Sequence, residues 1–186
     1  NGEKVLYISL EESEERLIHQ KKQKLEGIKK LRINPYPYSF NKKNNSAEIL
    51  NKYRKLKKEE HTKNIVSVAG RIMALREMGK ASFAHLQDQD GRIQVYFRED
   101  QIGEKSYNLF RKLDLGDIIG VEGTVFRTKL GEITVLAKKI SLLSKSIRPL
   151  PDKWHGLKDI EERYRKRYVD LIVNPNVKEM FLKRSK

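Results

Sequence analysis

Between residues 65 and 143 the sequence is rich in β-branched side chains, alternates apolar with polar positions, and is interrupted by glycine-containing turns. Because successive side chains of a strand point to opposite faces, this alternation predicts strands that are buried on one face. The strands are predicted at residues 65–77, 81–88, 92–98, 117–127 and 132–143, with a short helix over 106–113. The segment therefore predicts a mainly β domain with one helix between its third and fourth strands.

The order of these elements restricts the topology further. Three strands, a helix and two more strands is the order of an OB fold, a five-stranded Greek-key barrel whose face and loops commonly bind oligonucleotides. Asp90-Gly91 predicts a tight turn between the second and third strands, and Leu130-Gly131 predicts another between the fourth and fifth. We therefore predict an OB-fold barrel as a central domain over residues 65–145.

Helices are predicted before the barrel, over residues 1–64. Apolar residues recur at helical spacing over 9–31, and the run Asn34-Pro35-Tyr36-Pro37 ends that helix because proline lacks an amide donor. Ser46 is predicted to cap a second helix that presents Ile49 and Tyr53 on one face. This part is predicted to be a helical extension of the barrel.

A linker and short helices are predicted after the barrel, over residues 146–186. Arg148-Pro149-Leu150-Pro151 predicts a stiff linker, since its two prolines disfavour both helix and sheet. A basic helix is predicted over 159–172 and another over 177–186, with Asn174-Pro175 between them. We expect this part to be the beginning of a further domain.

The charge balance favours a polyanionic partner. The 186 residues include 40 Lys and Arg against 25 Asp and Glu, a formal net charge of +15, which attracts RNA, DNA or an acidic membrane. The sequence lacks cysteine and its four histidines have no metal-ligand spacing, so we expect no metal site. With no apolar run of transmembrane length and no signal-peptide pattern, a soluble intracellular setting is expected.

Two residues on neighbouring strands could read an unpaired base. If Leu86 points inward, strand parity places Phe83 on the outer face, and the inward Ile93 of the next strand places Gln94 there as well. An exposed ring offers a stacking platform, and an amide offers a donor and an acceptor to a base edge. A single phenylalanine in a strand more often belongs to the core, so this hypothesis depends on which face carries Phe83.

Charged residues on nearby strands and loops support the hypothesis that this face binds nucleic acid. Basic side chains interleaved with aromatic ones suit single-stranded nucleic acid. Glu132, just after the fourth turn, could accept from a base, although a carboxylate there could simply aid solubility. The basic residues near the same face are Arg71, Arg76, Lys80, Arg92 and Arg127.

Catalytic hypotheses have little support in the sequence, and we predict no catalytic residue. The glycines between 116 and 123 lie in a β pattern and precede no helix, which argues against a phosphate-binding loop. Neither His85 nor His155 lies near a nucleophile and a carboxylate in the sequence, although a triad assembled in space stays possible.

From about residue 25 to residue 186 the chain resembles the N-terminal anticodon-binding region of class II lysyl-tRNA synthetases. The Phe83 and Gln94 strands alone would also fit the related aspartyl and asparaginyl enzymes, whereas the linker and the tail are specific. The segments that carry the resemblance are Asn34-Pro35-Tyr36-Pro37, Val68-Ala69-Gly70-Arg71, Met78-Gly79-Lys80-Ala81-Ser82-Phe83, Leu86-Gln87-Asp88, Gly91-Arg92-Ile93-Gln94, Leu115-Gly116-Asp117-Ile118, Thr128-Lys129-Leu130-Gly131-Glu132, Arg148-Pro149-Leu150-Pro151-Asp152-Lys153 and the tail from Glu162 to Ile172.

This resemblance implies roles for particular residues. Phe83 is expected to stack on the central anticodon uridine and Gln94 to hydrogen-bond it, with Arg76 assisting. Glu132 matches the position that senses the third anticodon base. For Arg71, Lys80 and Arg127 we expect only contacts to backbone phosphates, which position a nucleic acid without specifying its sequence.

The resemblance also implies what the parent enzyme does. Such an enzyme uses ATP and Mg²⁺ to attach lysine to its tRNA, whereas this chain lacks the catalytic motifs and is expected to bind the lysine tRNA without charging it and without a cofactor. We expect a cytoplasmic parent that is a homodimer, a monomeric fragment, and no membrane partner. A stand-alone OB protein that binds single strands, and a docking piece that uses its flanks to hold other proteins, stay open as alternatives.

Overall fold

The structure, a computed structural model, describes the backbone of residues 2–150 and 159–185 and the side chains of 14–150 and 159–185. It forms two compact units, Asn1–Ile147 and Arg148–Lys186. The division into three parts at residues 64 and 145 stays a prediction. Pro151 of the predicted linker and His155 lie outside the described residues.

Five strands of the first unit close into a barrel in the order β1-β2-β3-β5-β4. The pairs are antiparallel except β3 with β5, which is parallel. The long first strand pairs with β2 through its second half and with β4 through its first half, which closes the barrel. The predicted OB-fold barrel is thus confirmed; its strands are β1 His61–Met78, β2 Ala81–Gln87, β3 Arg92–Arg98, β4 Ile118–Arg127 and β5 Ile133–Ser144.

Strand parity is as predicted in β2 and β3. Ser82, Ala84 and Leu86 are buried while the alternate residues of β2 are half-buried, and β3 follows the same alternation. The alternation therefore assigns one face of this hairpin to the core and the other to the surface. The fully buried side chains of the core include Phe97, Tyr107, Phe110, Ile72, Ile119 and Val121.

The helices before the barrel, α1 Gly2–Lys30 and α2 Ser46–Lys52, pack on the same core. Their contacts come from Ile28, which is fully buried, and from Ile49. Between the two helices the chain crosses β4, where a Cβ on Gly120 would lie 2.5 Å from the ring of Phe40. The absence of a side chain at residue 120 therefore lets this segment approach the sheet.

The start of α2 corrects one prediction. Ser46 is the first helical residue, and the cap is Asn45, whose backbone amide donates to Glu48 Oε2 at 3.0 Å. The Ser46 hydroxyl instead donates to Asp88 Oδ1 at 2.6 Å, at the β2–β3 turn. The prediction was wrong because the serine has a distant partner that local sequence does not reveal.

Asp88 connects α2 to the β2–β3 hairpin. Its carboxylate also accepts from the backbone amides of Ser46, Asp90 and Gly91. Burial would raise the pKa of Asp88, but the hydrogen bonds from Ser46, Asp90 and Gly91 outweigh it and lower the pKa to about 2. The carboxylate therefore stays charged and holds the turn at neutral pH.

Two short helices, α3 Glu99–Ile102 and α4 Glu104–Phe110, replace the single helix predicted over 106–113. Gly103 separates them with φ 79°, a left-handed conformation that glycine adopts without strain. The helical region therefore begins directly after β3, earlier than the apolar spacing indicated.

A group of charged side chains lies where α1 meets the barrel. It is here called the base cluster and consists of Lys21, Lys24, Asp114, Asp117 and Lys145. Lys145 donates to Asp117 Oδ2 at 2.7 Å and to Asp114 Oδ2 at 2.6 Å, and the side chains of Lys145 and Asp117 are both fully buried. From α1, Lys24 donates to Asp114 Oδ1 at 2.5 Å, and Lys21 donates to the carbonyl of Leu115 at 3.2 Å. The cluster thus attaches α1 to the α4–β4 connection and to the end of β5.

The described residues of the second unit form α5 Ile160–Arg165, α6 Arg167–Val173 and α7 Pro175–Arg184. The helix predicted over 159–172 is divided at Lys166, whose backbone (φ −113°, ψ 50°) is not helical. The break predicted at Asn174-Pro175 is present, with Pro175 at the start of α7. In the described part of the chain, no helix combines the length and the apolar character that crossing a membrane requires.

Candidate nucleic-acid interface

A cavity of about 660 Å³, here called the barrel cavity, opens beside the β4–β5 loop. Both rings and charged groups line it, so it offers flat apolar surfaces beside hydrogen-bonding groups. Its lining residues include Phe83, Gln94, Arg76, Glu132 and Arg127, and also Glu59, His61, His85, Tyr96, Phe126, Thr128, Lys129 and Leu130. The structure therefore brings together the four residues predicted to read the anticodon.

Phe83 lies half-buried on the outer face of β2. Its ring stacks on Tyr96, the residue opposite it on β3, with 4.4 Å between the centroids and 17° between the planes. On its other side in the sheet, the register places the exposed Arg76 of β1 opposite Phe83. The phenylalanine thus belongs to the cavity wall, and Tyr96 holds its ring in a fixed orientation.

The amide of Gln94 is oriented by two partners. Its Nε2 donates to Glu132 Oε2 at 2.6 Å, and its Oε1 accepts from the buried hydroxyl of Thr134 at 2.8 Å. Because the Glu132 carboxylate can only accept, the end of the amide that faces it is the nitrogen, and the oxygen therefore faces the Thr134 hydroxyl. Because an amide has two N–H groups and two lone pairs on oxygen, one donor and one acceptor are still available for a ligand.

Glu132 also contacts His85, a residue that the sequence led us to discount as catalytic. Its Oε1 lies 3.1 Å from His85 Nε2, and both side chains are well exposed, at 46% and 37%. The backbone amide of Glu132 donates to Thr128 Oγ1 at 3.0 Å, which orders the loop. His85, Glu132 and Gln94 thus form one hydrogen-bonded row along the cavity.

Arg127 joins the cavity to the helical extension. Its Nε donates to the carbonyl of Gly131 and its Nη1 to that of Leu56, at 2.8 and 2.7 Å. The backbone amide of Glu59 donates to the Arg127 carbonyl at 2.8 Å. The connection between α2 and β1 is therefore part of the cavity wall, which the sequence did not indicate.

Two of the residues predicted to contact phosphate lie outside the barrel cavity. Lys80 is exposed and lines a neighbouring cavity that shares Tyr96 with the first. Arg71 is half-buried, and its Nη1 donates to the carbonyl of Gly116 at 2.8 Å, near the base cluster. Among the predicted basic residues, Arg76 and Arg127 are thus the two that line the barrel cavity.

Sequence reasoning missed several residues of this cavity. Tyr96 could have been found, because it lies two positions after Gln94 in the same strand and strand parity therefore places it on the same face. Thr134 could not, since it depends on the parallel pairing of β3 with β5. Within the side chains that the structure describes, no group of three His, Asp or Glu residues is placed to hold a metal ion.

Comparison with known protein families finds a match, which lies in the barrel. Residues 66–143 match the tRNA anticodon family, described as an OB-fold nucleic acid binding domain. The match begins within β1 and ends within β5, so it covers nearly the whole barrel.

Comparison with curated proteins finds similar sequences in several bacteria. The chain is 51% identical over 176 residues to a lysine–tRNA ligase of Pelotomaculum thermopropionicum, which covers 95% of this chain and 34% of that protein. It is 51% identical over 170 residues to one of Staphylococcus epidermidis, covering 89% and 34%. It is 52% identical over 171 residues to one of Thermoanaerobacter pseudethanolicus, covering 91% and 33%. The chain thus spans about a third of the length of these relatives.

Proposed function

We propose that the chain is the anticodon-recognition module of a lysine–tRNA ligase, because residues 66–143 match the tRNA anticodon family of OB-fold nucleic acid binding domains. The observation that carries the proposal is the composition of the barrel cavity. Phe83, Gln94, Arg76 and Glu132 all line it. A ring, an oriented amide, a cation and a carboxylate within one cavity suit the recognition of unpaired bases.

Each of the four residues has a role in the proposal. Phe83 stacks on the central anticodon uridine, as a continuation of the stack with Tyr96. Gln94 uses its free donor and acceptor on the edge of that uridine, while Arg76 assists from the neighbouring strand. Glu132 reads the third anticodon base with its carboxylate. Because Glu132 also accepts a hydrogen bond from Gln94, recognition of the third anticodon base is coupled to recognition of the central uridine.

The basic residues Arg71, Lys80 and Arg127 are proposed to contact backbone phosphates. Lys80 is the most accessible of the three, since its side chain is exposed. Arg127 would use the guanidinium N–H groups that do not bond Gly131 and Leu56. Such contacts add affinity and position the anticodon loop without selecting its sequence.

The activity of a full-length protein that contains this chain is part of the proposal. We infer a cytoplasmic, homodimeric lysine–tRNA ligase that uses ATP and Mg²⁺, with the lysine tRNA as its partner. The relatives are named lysine–tRNA ligases, which supports the reaction, and this chain spans about a third of their length. We assign no residue of this chain to ATP or magnesium.

The test measures binding of anticodon stem-loop RNAs to the 186-residue chain at one fixed salt concentration. We expect Phe83→Ala to weaken the RNA with a central uridine by about 1–3 kcal/mol, because it removes the stacking platform. RNAs with another central base should lose much less. Gln94→Ala should show the same selectivity, since it removes the edge contact.

Tyr38→Ala is the matched control, since Tyr38 is a fully exposed aromatic residue that does not line the barrel cavity. Thermal unfolding of each variant separates loss of binding from loss of fold. Equal losses on every RNA after Phe83→Ala would contradict the base-reading role. Equal affinity of the unchanged chain for an unrelated single strand would favour a stand-alone OB protein instead.

A further inference from the structure

A second ring lines the barrel cavity at the start of β1. The imidazole of His61 stacks on Phe126 with 4.8 Å between the centroids and 4° between the planes, while the His61 side chain itself is exposed. Phe126 is only 9% exposed and so holds one face of the imidazole from beneath. Like Phe83 on Tyr96, His61 is a ring that is backed by another ring and lines the same cavity.

The strand register connects His61 to the residues already described. Gln94 pairs with Thr134 across β3 and β5, Thr134 with Phe126 across β5 and β4, and Phe126 with His61 across β4 and β1. The rings of Tyr96 and Phe126 also lie near each other, with 6.1 Å between their centroids. The two ring platforms therefore lie on one continuous surface that crosses the sheet.

Glu59, two residues before His61, places a carboxylate in the same cavity. Its backbone has φ 61°, a conformation that a residue with a side chain adopts at an energetic cost. Two backbone hydrogen bonds hold it there. Its amide donates to the Arg127 carbonyl at 2.8 Å, and the Arg127 amide donates to the Glu60 carbonyl at 3.1 Å. The fold thus maintains a strained residue at the wall of the cavity.

Among the side chains that the structure describes, the carboxylate of Glu59 has one ion-pair partner, Lys129, at 3.5 Å. Their side chains are 64% and 82% exposed, and pairs this accessible to water are weak. A ligand can therefore displace Lys129 from the Glu59 carboxylate at little cost in free energy. Because an ionised carboxylate only accepts hydrogen bonds, the ligand edge that fits Glu59 must donate an N–H.

We propose that His61 and Glu59 form a second nucleotide subsite, which takes an unpaired base adjacent to the one on Phe83. The base stacks on the exposed face of the imidazole, and its amino or imino group donates to the Glu59 carboxylate. This combination of ring and polar group parallels Phe83 with Gln94. The inference rests on the proposed function, because it requires an RNA loop in the barrel cavity.

The test couples protein variants to RNAs that lack single bases. Anticodon stem-loops are made with an abasic nucleotide at the central, the 5′-flanking or the 3′-flanking anticodon position, which removes the base and keeps the phosphate. Each is titrated with the unchanged 186-residue chain and with His61→Ala, His61→Phe and Phe83→Ala. His19→Ala, which removes an exposed histidine of α1, is the matched control.

We expect His61→Ala to weaken the intact RNA by roughly fivefold to a hundredfold, the range of one base–ring stack. It should have no effect on the RNA that is abasic at one of the two flanking positions, because the stack is already lost there. His61→Phe should retain most of the affinity, which also guards against a merely unfolded His61→Ala protein. Equal losses on all three abasic RNAs, or no loss on the intact RNA, would overturn the subsite.

The Glu59 contact has a separate measurement. At the flanking position that couples to His61, methylation of the base N–H should weaken binding to the unchanged chain. Glu59→Met should weaken the unmodified RNA equally, and the methylated RNA no further. Additive losses would overturn the role of Glu59.

Phe83→Ala distinguishes the failure of this subsite from the failure of the proposed function. Suppose that Phe83→Ala has no effect on the RNA that is abasic at the central position, but the effect of His61→Ala is the same with and without each flanking base. Only the subsite is then rejected. If Phe83 couples to no base, the anticodon-recognition role itself is rejected.

Discussion

Hydrogen bonds join charged side chains both in the base cluster and around the barrel cavity. The two regions differ in how far those side chains are exposed to water. Lys145 and Asp117 of the base cluster are fully buried. Around the cavity, the side chains of His85 and Glu132 are 37% and 46% exposed. A buried charge must be paired within the protein, whereas a half-exposed one can exchange water for a ligand. Burial, rather than residue type, therefore determines whether a charged side chain in these two regions is accessible to a ligand.

Removing one charge from each region should have very different effects on stability. Asp117→Ala should lower the free energy of unfolding by about 3–5 kcal/mol, because Lys145 is left buried with one carboxylate fewer. Glu132→Ala should lower it by under about 1 kcal/mol, since exposed pairs contribute little. Urea unfolding measures both values.

The variant Lys139→Ala is the control for the effect of removing any charge. Lys139 forms an exposed pair with Glu122 at 4.0 Å, so its loss should hardly change stability. A cost for Glu132→Ala equal to that for Asp117→Ala would contradict the distinction between the two regions.

Acid should remove the stabilisation that Asp114 gives to the base cluster, an effect smaller than that of Asp117→Ala. Burial would raise the pKa of Asp114, but the hydrogen bonds from Lys145 and Lys24 outweigh it and hold the pKa below its usual value. The stabilisation is therefore present above the pKa of unfolded aspartate, about 4, and is lost as the pH falls through the lower folded value. Asp114→Asn should cost about 1–2 kcal/mol at pH 7.

The difference in unfolding free energy between Asp114→Asn and the unchanged chain should narrow steadily below about pH 4. Urea unfolding at several pH values follows it. A difference that stays constant from pH 7 to pH 2 would mean that the Asp114 charge does not stabilise the base cluster.

The smallest effect is expected from Lys80, which lies outside both regions. Lys80→Ala should weaken every anticodon stem-loop alike and reduce the slope of log affinity against log salt by about 1, because one phosphate contact is lost. Binding at several salt concentrations measures this slope. A loss confined to the uridine-centred RNA would contradict a phosphate role and assign Lys80 to base reading.

The sequence predicted the part of the site that depends on strand parity. Phe83 and Gln94 were both placed on the outer face from their positions relative to Leu86 and Ile93, and the burial pattern agrees. Such predictions succeed because the direction of a strand side chain alternates residue by residue, and so it depends only on local sequence.

The partners of these residues could not be predicted in the same way. Glu132 reaches His85 and Gln94 across 47 and 38 positions of the chain. The prediction of Ser46 as a cap was wrong for a similar reason, since its hydroxyl bonds Asp88, 42 positions away. Local patterns contain no information about contacts of this kind.

Local sequence patterns were enough to predict the five strands of the barrel, their order, and which side of the β2–β3 hairpin faces the core. That His61 and Glu59 lie in the same cavity as Phe83 became visible only in the folded structure. The physical reason is that alternation and turn chemistry act over a few neighbouring residues. Closure of the barrel, by contrast, depends on β1 pairing with β4 and on β3 pairing with β5, which the whole core must stabilise together.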